Sequence, residues 1–431
     1  MQAVANPWRI KSLTCLLVTA ISTAAGAQVH VVQSGEYFGK IARDNGCSVG
    51  QLLQVNPKLK NPNRIYPGMK LKLGCKNVKV DPSRTRASRS SARGYKKARL
   101  DTKRLEKMMR ARGFTPPHRF RALIIEYELN SKGRVISERA FDWKGLSVQA
   151  GGWNAASSIK FFAAIAALER LEKWGFPAET WATFHHSKTG KKTNCLIRRK
   201  NCTVRELVDD ALIESDNIAY DRLVQLAGYD YLNGNLLHPR RGIKGTGLHG
   251  PYARSKWIPL SGVRSFRDSP KIQLRHGKKR KTIPAKQYKR GKRGQYHCPW
   301  GGTCSTLMDL AEGMKRLLMN RNQIPKREQV RLTQTNRDII SRSMGIYNRK
   351  DQRRRGMQFV NALRKAFKDP DVRMFHKPGY AGKWFSDVVY VYLPRSKRRW
   401  IVAAAGYPGR RTLTQAGRVM GEIIKNPNAF K

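Results

Sequence analysis

The chain has 431 residues, with 86 Lys and Arg against 29 Asp and Glu and a formal charge of +57 at pH 7. At 40% hydrophobic residues it has enough apolar side chain to fold, so it is not a disordered basic tail. The charge excludes a chain indifferent to its ionic surroundings and makes polyanions its expected partners.

Nucleic acid is one such polyanion, but the N-terminus points elsewhere. Arg9 and Lys11 precede an apolar run from Leu13 to Ala25, closed by Ala25-Gly26-Ala27. A basic stretch, a short apolar stretch and a small-x-small pattern make a signal peptide over residues 1–27, with Gln28 the first residue after cleavage. The run is short for a membrane span, and no later segment is long and apolar enough. The expectation is an exported protein of the periplasm, cell envelope or extracellular space. Its anionic partner is then an envelope polymer rather than nucleic acid. Cys15 falls within the signal. The remaining Cys47, Cys75, Cys195, Cys202, Cys298 and Cys304 are an even number in an exported chain, which predicts disulfides. Sequence neighbourhood pairs Cys47 with Cys75, Cys195 with Cys202 and Cys298 with Cys304. Zinc is the alternative, but the spacings are not C-x-x-C pairs, so no metal is expected, and no other cofactor is called for.

Residues 28–75 read as strand, helix, helix, strand. Val29 to Val32 is the first strand, a turn at Gln33-Ser34-Gly35-Glu36-Tyr37 leads into a helix, and Ser48 to Val55 is a second helix ending at Asn56-Pro57. Asn61-Pro62-Asn63-Arg64-Ile65-Tyr66-Pro67-Gly68 turns into a second strand, Met69 to Leu73. A core this small needs reinforcement, which a Cys47–Cys75 bridge would supply. On these residues the segment resembles a LysM domain, a module for N-acetylglucosamine-containing glycans such as peptidoglycan. The resemblance implies a sugar groove between two loops, built by Ser34, Gly35, Glu36 and Tyr37 and by Asn61, Pro62, Asn63, Arg64 and Ile65. The same residues also serve as plain turn formers.

Residues 76–98 are mostly Lys, Arg, Ser and Asp and read as a solvated basic linker. Residues 99–431 read as one large domain. Leu100 to Arg112 has helical spacing and stops at Thr115-Pro116-Pro117; Ala122 to Leu129 and Val135 to Phe141 read as a hairpin. Then comes Ser157-Ser158-Ile159-Lys160, opening a helix that is apolar almost all round after Lys160. At i and i+3 the serine and the lysine share a face. Burial disfavours a charged amine, and a neutral amine beside a hydroxyl is a base beside a nucleophile. Thr203 is the expected N-cap of a helix over Val204 to Leu212. Ser215-Asp216-Asn217 follows and runs into another helix through Ala227. Near the C-terminus His376-Lys377-Pro378-Gly379 precedes strands over Asp387–Leu393 and Trp400–Gly406 and a helix from Leu413 to Ile424.

Ser-x-x-Lys, then Ser-Asp-Asn, then Lys-Thr-Gly is the motif order of class A β-lactamases and penicillin-binding proteins, which the large domain resembles. The resemblance implies an α+β fold: an antiparallel sheet flanked by helices, with an all-helical subdomain. It also implies a serine hydrolase acting on an amide bond: Ser157 as nucleophile, Lys160 as base, Ser215 as proton shuttle, Asn217 holding substrate amide and Lys160, and Lys377 orienting Ser215. The backbone N–H groups of Ser157 and Tyr380 would form the oxyanion hole. Lys377-Pro378-Gly379 carries proline where threonine is usual. A literal Lys188-Thr189-Gly190 lies between the first two motifs in a polar loop and is read as coincidental. Residues 239–297 look like a basic insertion. Between Asn217 and Cys304 the acids are Asp221, Asp230 and Asp268, and no Glu-x-x-Leu-Asn pattern is present. The deacylating glutamate of fast β-lactamases therefore has no counterpart, with Asp268, His249 and His297 as weak substitutes. A D,D-peptidase-like, penicillin-recognising enzyme acting on peptidoglycan is expected first. A β-lactamase, with β-lactams as substrates, and a non-catalytic peptidoglycan-binding scaffold are the alternatives.

Overall fold

The structure, a computed structural model, describes residues 28–33, 36, 38–47, 49–57, 59, 65, 68–74, 95–97, 99–197, 199–253, 268–287, 298, 303–319, 322–347, 351, 356–367, 369–426 and 428–429. The signal segment 1–27, nearly all of the linker 76–98, Ser34, Gly35, Tyr37, Asn61, Pro62, Asn63, Arg64, Cys75 and His297 lie outside the described residues. The chain divides into two compact units, Met1–Arg89 and Ser90–Lys431. No helix among the described residues is long and apolar enough to cross a membrane.

In the first unit β1 (Val29–Val31) pairs antiparallel with β2 (Lys70–Lys72), and α1 (Phe38–Asp44) and α2 (Val49–Gln54) lie between them in sequence. Val32, Phe38, Ile41, Leu52 and Leu71 are buried as one small core. Asn56 ends α2 for a physical reason. Its amide donates to the Lys72 carbonyl and accepts from the Lys72 N–H, both at 2.9 Å, so a side chain extends the sheet. Cys47 is buried and disulfide-bonded.

The second unit is built on a six-stranded sheet in the order β13-β14-β15-β4-β5-β3. Its strands are β3 (Lys96–Lys97), β4 (Arg121–Leu129), β5 (Val135–Asp142), β13 (Arg373–Ala381), β14 (Trp384–Tyr392) and β15 (Arg398–Gly406). All neighbours are antiparallel except β3 on β5. β4, β14 and β15 are buried along nearly their whole length, because both faces of the sheet are covered there. One core joins the sheet to α4 (Lys160–Lys173), α5 (Val204–Leu212), α6 (Asn217–Ala227), α7 (Leu307–Leu318) and α8 (Gln334–Met344). The other joins it to α3 (Arg104–Arg110), α9 (Gln358–Phe367) and α10 (Gly409–Lys425). Burying α4 on every side requires small residues, and Ala163, Ala164, Ala166 and Ala167 provide them.

Three expectations shift. The helix expected from Leu100 begins only at Arg104, because Asp101 bridges to Phe141 and its carboxylate accepts from the Lys103 and Arg104 N–H groups at 3.0 and 2.9 Å. The helix expected from Ser157 begins as a 3₁₀ turn over Ala156–Ile159 and becomes α at Lys160. The insertion is not one loop. It contributes β9 (Asp268–Ser269), β10 (Ile272–His276), β11 (Lys279–Ile283) and β12 (Lys286–Gln287). β10 and β11 extend a second sheet through β6 (Trp181–His185), which also pairs with β7 (Lys192–Thr193) and β8 (Cys202–Thr203). Disulfides close Cys195–Cys202 and Cys298–Cys304.

Candidate active site

A cleft of about 500 Å³ is lined by Ser157 from the 3₁₀ turn, by Ser215 and Asn217 from the α5–α6 turn, and by Lys377 to Ala381 from the edge strand β13. The local sequence places each of them. A 3₁₀ turn has three residues per turn, so Ser157 and Lys160 stack along one line more closely than in an α-helix. Ala156 sets the turn with φ of 45°, its N–H held by the Asn154 side chain at 2.8 Å and its carbonyl by the Tyr252 hydroxyl at 2.8 Å. The preceding carbonyl, of Ala155, accepts from the Ser158 hydroxyl at 2.6 Å and the Ser386 hydroxyl at 3.1 Å. Gly379 lies directly against it. A Cβ there would stand 2.3 Å from the Ala155 oxygen and 2.9 Å from the Ser158 nitrogen. Glycine is thus what lets β13 approach the turn that carries Ser157.

The second wall comes from helix caps. Thr203 and Glu206 form a reciprocal capping box that starts α5. Asp216 caps α6 by accepting from the Ala219 N–H at 2.7 Å. Ser215 sits between the two helices at φ of 57°. The bland reading of Ser215-Asp216-Asn217 as a capping run therefore describes Asp216, while its neighbours face the cleft.

Lys160 is fully buried. Its Nζ donates to the carbonyls of Ser215 at 2.5 Å and Asp216 at 3.1 Å and to Asn217 Oδ1 at 2.7 Å. It makes no ion pair among the described residues. Burial first, then the nearby Lys377 charge, hold its amine well below the ordinary lysine range; Asp216 and Asp221 pull the other way. The three oxygens and the rings of Tyr220 and Tyr252, 5.7 and 6.0 Å from Nζ, favour the ammonium. Removal from water outweighs them, because those acceptors are neutral. Lys377 Nζ donates to the Ser215 hydroxyl at 2.9 Å. It too is buried, which pushes its amine down to about 7 against the pull of Asp387. Asp387 lies 3.1 Å from His376 Nδ1, and burial pushes its carboxyl up.

The structure brings Ser157, Ser215, Asn217, Lys377 and Tyr380 to one cleft, with Lys160 behind it. Tyr380 is 62% exposed. The expected substitutes for a deacylating glutamate do not join them. Asp268 accepts from Gln287 in the β9–β12 pair at 3.0 Å, and His249 contacts the Tyr229 hydroxyl at 2.7 Å; neither lines the cleft. Lys188-Thr189-Gly190 forms the turn after β6, where the Lys188 and Thr189 N–H groups donate to His186, again away from the lining. In the first unit, the candidate Glu36 turns inward. Its carboxylate takes the Gln33 N–H at 2.9 Å and His30 at 2.6 Å, while Ile65 packs on the small core.

Sequence reasoning missed Asp221 and Tyr252. Asp221 accepts the N–H groups of Tyr252 and Ala253, both at 2.9 Å, and burial pushes its carboxyl up to about 7. It thereby positions the phenol that holds the Ala156 carbonyl. The usable signal was a lone carboxylate four residues after Asn217 in a helix that is otherwise mostly apolar. Glu214 is the one carboxylate in the described lining and is solvent-exposed. No group of three or more His, Cys, Asp or Glu among the described residues could hold a metal.

Residues 146–423 match the family described as the β-lactamase enzyme family, more than half of the chain, and residues 30–74 match the LysM domain. An endolysin of Bacillus phage PZA is 41% identical over 51 residues, 12% of this chain and 20% of the endolysin. SpoIVD-associated factor A of Bacillus subtilis is 37% identical over 67 residues, 16% of this chain and 17% of that protein. The chain thus spans a fifth or less of these curated relatives. Among solved structures, one described as "Structure of PBP-A" is 15% identical with a TM-score of 0.47, covering 77% of this chain and 99% of that one. A β-lactamase from Burkholderia vietnamiensis is 14% identical with a TM-score of 0.45, covering 76% and 97%.

Proposed function

We propose, since this chain belongs to the β-lactamase enzyme family, that it is an exported, peptidoglycan-associated serine hydrolase of the D,D-peptidase kind, working through an acyl-enzyme on Ser157. One observation carries the reading. Ser215 is held at its carbonyl by Lys160 and at its hydroxyl by Lys377, in the cleft that Ser157 lines.

The chemistry follows from those contacts. Neutral Lys160 takes the Ser157 proton as Oγ attacks the carbonyl carbon of a D-Ala-type peptide bond. The charge that develops on the carbonyl oxygen meets the N–H groups of Ser157 and Tyr380. The C–N bond breaks as the departing nitrogen takes the Ser215 proton, and the adjacent Lys377 ammonium can restore it. Asn217 Oδ1 keeps Lys160 aimed. Water or an amine then releases the acyl group.

Release is expected to be slow with β-lactams. Asp221 is committed to two backbone N–H groups, and Asp268 lies off the cleft. Glu214 is exposed and takes no part in the lysine–serine network. These observations favour a peptidase over a β-lactamase. Residues 30–74, a LysM domain, would hold the glycan, and the +57 charge would add retention on anionic envelope polymers.

The test is incubation with a fluorescent penicillin, read as intact mass. Wild type gains one penicillin, and Ser157→Ala gains none. A folded wild type that gains no mass would refute the acyl-enzyme and leave the glycan-binding scaffold. Sustained turnover of nitrocefin in place of a burst would establish the β-lactamase instead.

A further inference from the structure

The second sheet has an outward face that the reaction does not use. Antiparallel register puts directly opposed residues on the same face. Arg275 is opposed to Arg280 on one side and to Trp181 on the other; Gln273 is opposed to Thr282 and Thr183. Trp181 is 41% exposed, and Arg275 and Arg280 are exposed, while Ala182, Leu274 and Ile272 on the reverse face are buried. So two guanidiniums and an indole form one row across three strands, about 10 Å wide, beside a row of hydroxyl and amide groups.

The hairpin is fixed from beneath. Lys279 Nζ donates to the Gly175 carbonyl at 2.8 Å and lies 4.6 Å from the Phe176 ring, and Lys281 lies 5.5 Å from the Trp174 ring. The basic tract of the insertion is thus shared between an anchoring underside and an outward row. Nearby carboxylates are already matched. Glu179 lies 3.3 Å from Arg205, and Glu206 lies 3.6 Å from Arg199. Arg275 makes no ion pair among the described residues. Arg280 gives one nitrogen to the turn carbonyls of Gly277 and Lys279, which orients its guanidinium without neutralising it.

We propose that this outward face of β11, β10 and β6 is a preorganised binding platform for an anionic polysaccharide. Trp181 stacks on a sugar ring, and Arg275 and Arg280 pair with carboxylates or phosphates along the polymer. An indole face takes the C–H face of a pyranose, and a guanidinium fork matches planar carboxylates. A track for single-stranded nucleic acid needs cations that continue along a backbone; here the row beside the arginines is neutral and hydroxyl-rich. The platform lies outside the cleft. It relies on the envelope reading only in favouring a glycan.

The test uses the full chain with alginate oligomers, neutral dextran and an oligonucleotide of equal charge, at about 0.3 M salt, where diffuse attraction is screened. Wild type binds alginate more tightly than dextran or the oligonucleotide. Trp181→Ala and the double variant Arg275→Gln, Arg280→Gln each weaken alginate binding about tenfold, the size of one lost stacking or charge contact. Unchanged melting curves certify the fold, so this outcome is independent of whether penicillin labels Ser157. Alginate affinity unchanged in both variants would overturn the platform. So would an oligonucleotide that binds more tightly than alginate and is lost in the same variants.

Discussion

Lys160 and Lys377 hold one residue from its two ends. The first donates to the Ser215 carbonyl at 2.5 Å, the second to the Ser215 hydroxyl at 2.9 Å. Both amines are buried, burial lowers both, and the Lys377 charge lowers Lys160 further. Two cations in one dry site are costly, so one of them is readily neutral, as a base must be.

Acylation should therefore rise with pH and level off below the ordinary lysine range, since the reactive form is Lys160 without its proton. Lys160→Arg should abolish it at every pH, because a guanidinium keeps its proton. Penicillin labelling rates across pH measure this; a flat profile in wild type would remove Lys160 as the base.

Lys377 opposes stability at low pH. Its folded value, about 7, lies below its unfolded value. Between the two the unfolded chain binds more protons, so stability rises with pH from about 7 upward, and below 7 the buried charge is fully unfavourable. Lys377→Met should then stabilise the protein at pH 6 by on the order of 2 kcal/mol while slowing labelling about a hundredfold or more. Denaturant titrations at pH 6 and pH 9 give the first figure and labelling kinetics the second. A Lys377→Met protein less stable at pH 6 would contradict the assignment.

Gly379→Ala tests the approach of β13 to the turn that carries Ser157. The added methyl meets the Ala155 oxygen and the Ser386 hydroxyl at distances atoms do not tolerate, so strand and turn must separate. A loss of about 1–3 kcal/mol is expected from such overpacking, with labelling falling more than stability does. Normal labelling in Gly379→Ala would show that the contact does not aim Ser157.

Asp221 has the opposite sign to Lys377. Its folded value, about 7, is above the 3.8 of a free carboxyl. Across that window the folded chain binds more protons, so this group makes stability fall as pH rises toward 7. Asp221→Asn should flatten that part of the melting profile between about pH 4 and 7, and Asn can still accept the Tyr252 N–H. Identical profiles in the two proteins would mean that Asp221 is ionised throughout.

Much of this was legible in residue order. Thr203 announced a helix start, the apolar run after Lys160 announced a buried helix, and the cysteine neighbours found each other at 195–202 and 298–304. What escaped were relations across long separations. The glycine at 379 is only a motif position until the Ala155 carbonyl is placed against it. Asp221 reads as a helix residue until the backbone of 252–253, thirty-one residues on, is brought to it. The basic tract at 278–281 reads as a solvated loop, because charge composition hides the period-two pattern that folds Lys279 and Lys281 under the sheet. The difference between a helix and a 3₁₀ turn at Ser157 depends on one backbone angle at Ala156, which an alanine does not advertise.

Ala156 and Ser215 both occupy a backbone shape that L side chains resist, and one precedes the proposed nucleophile Ser157 while the other is the proposed relay. Glycine would relax either position. A population selected only for survival of heat would drift toward glycine at 156 and 215, losing aim at the first and the hydroxyl itself at the second. Endurance and turnover pull this cleft in opposite directions, and its hardiest descendants should be its idlest.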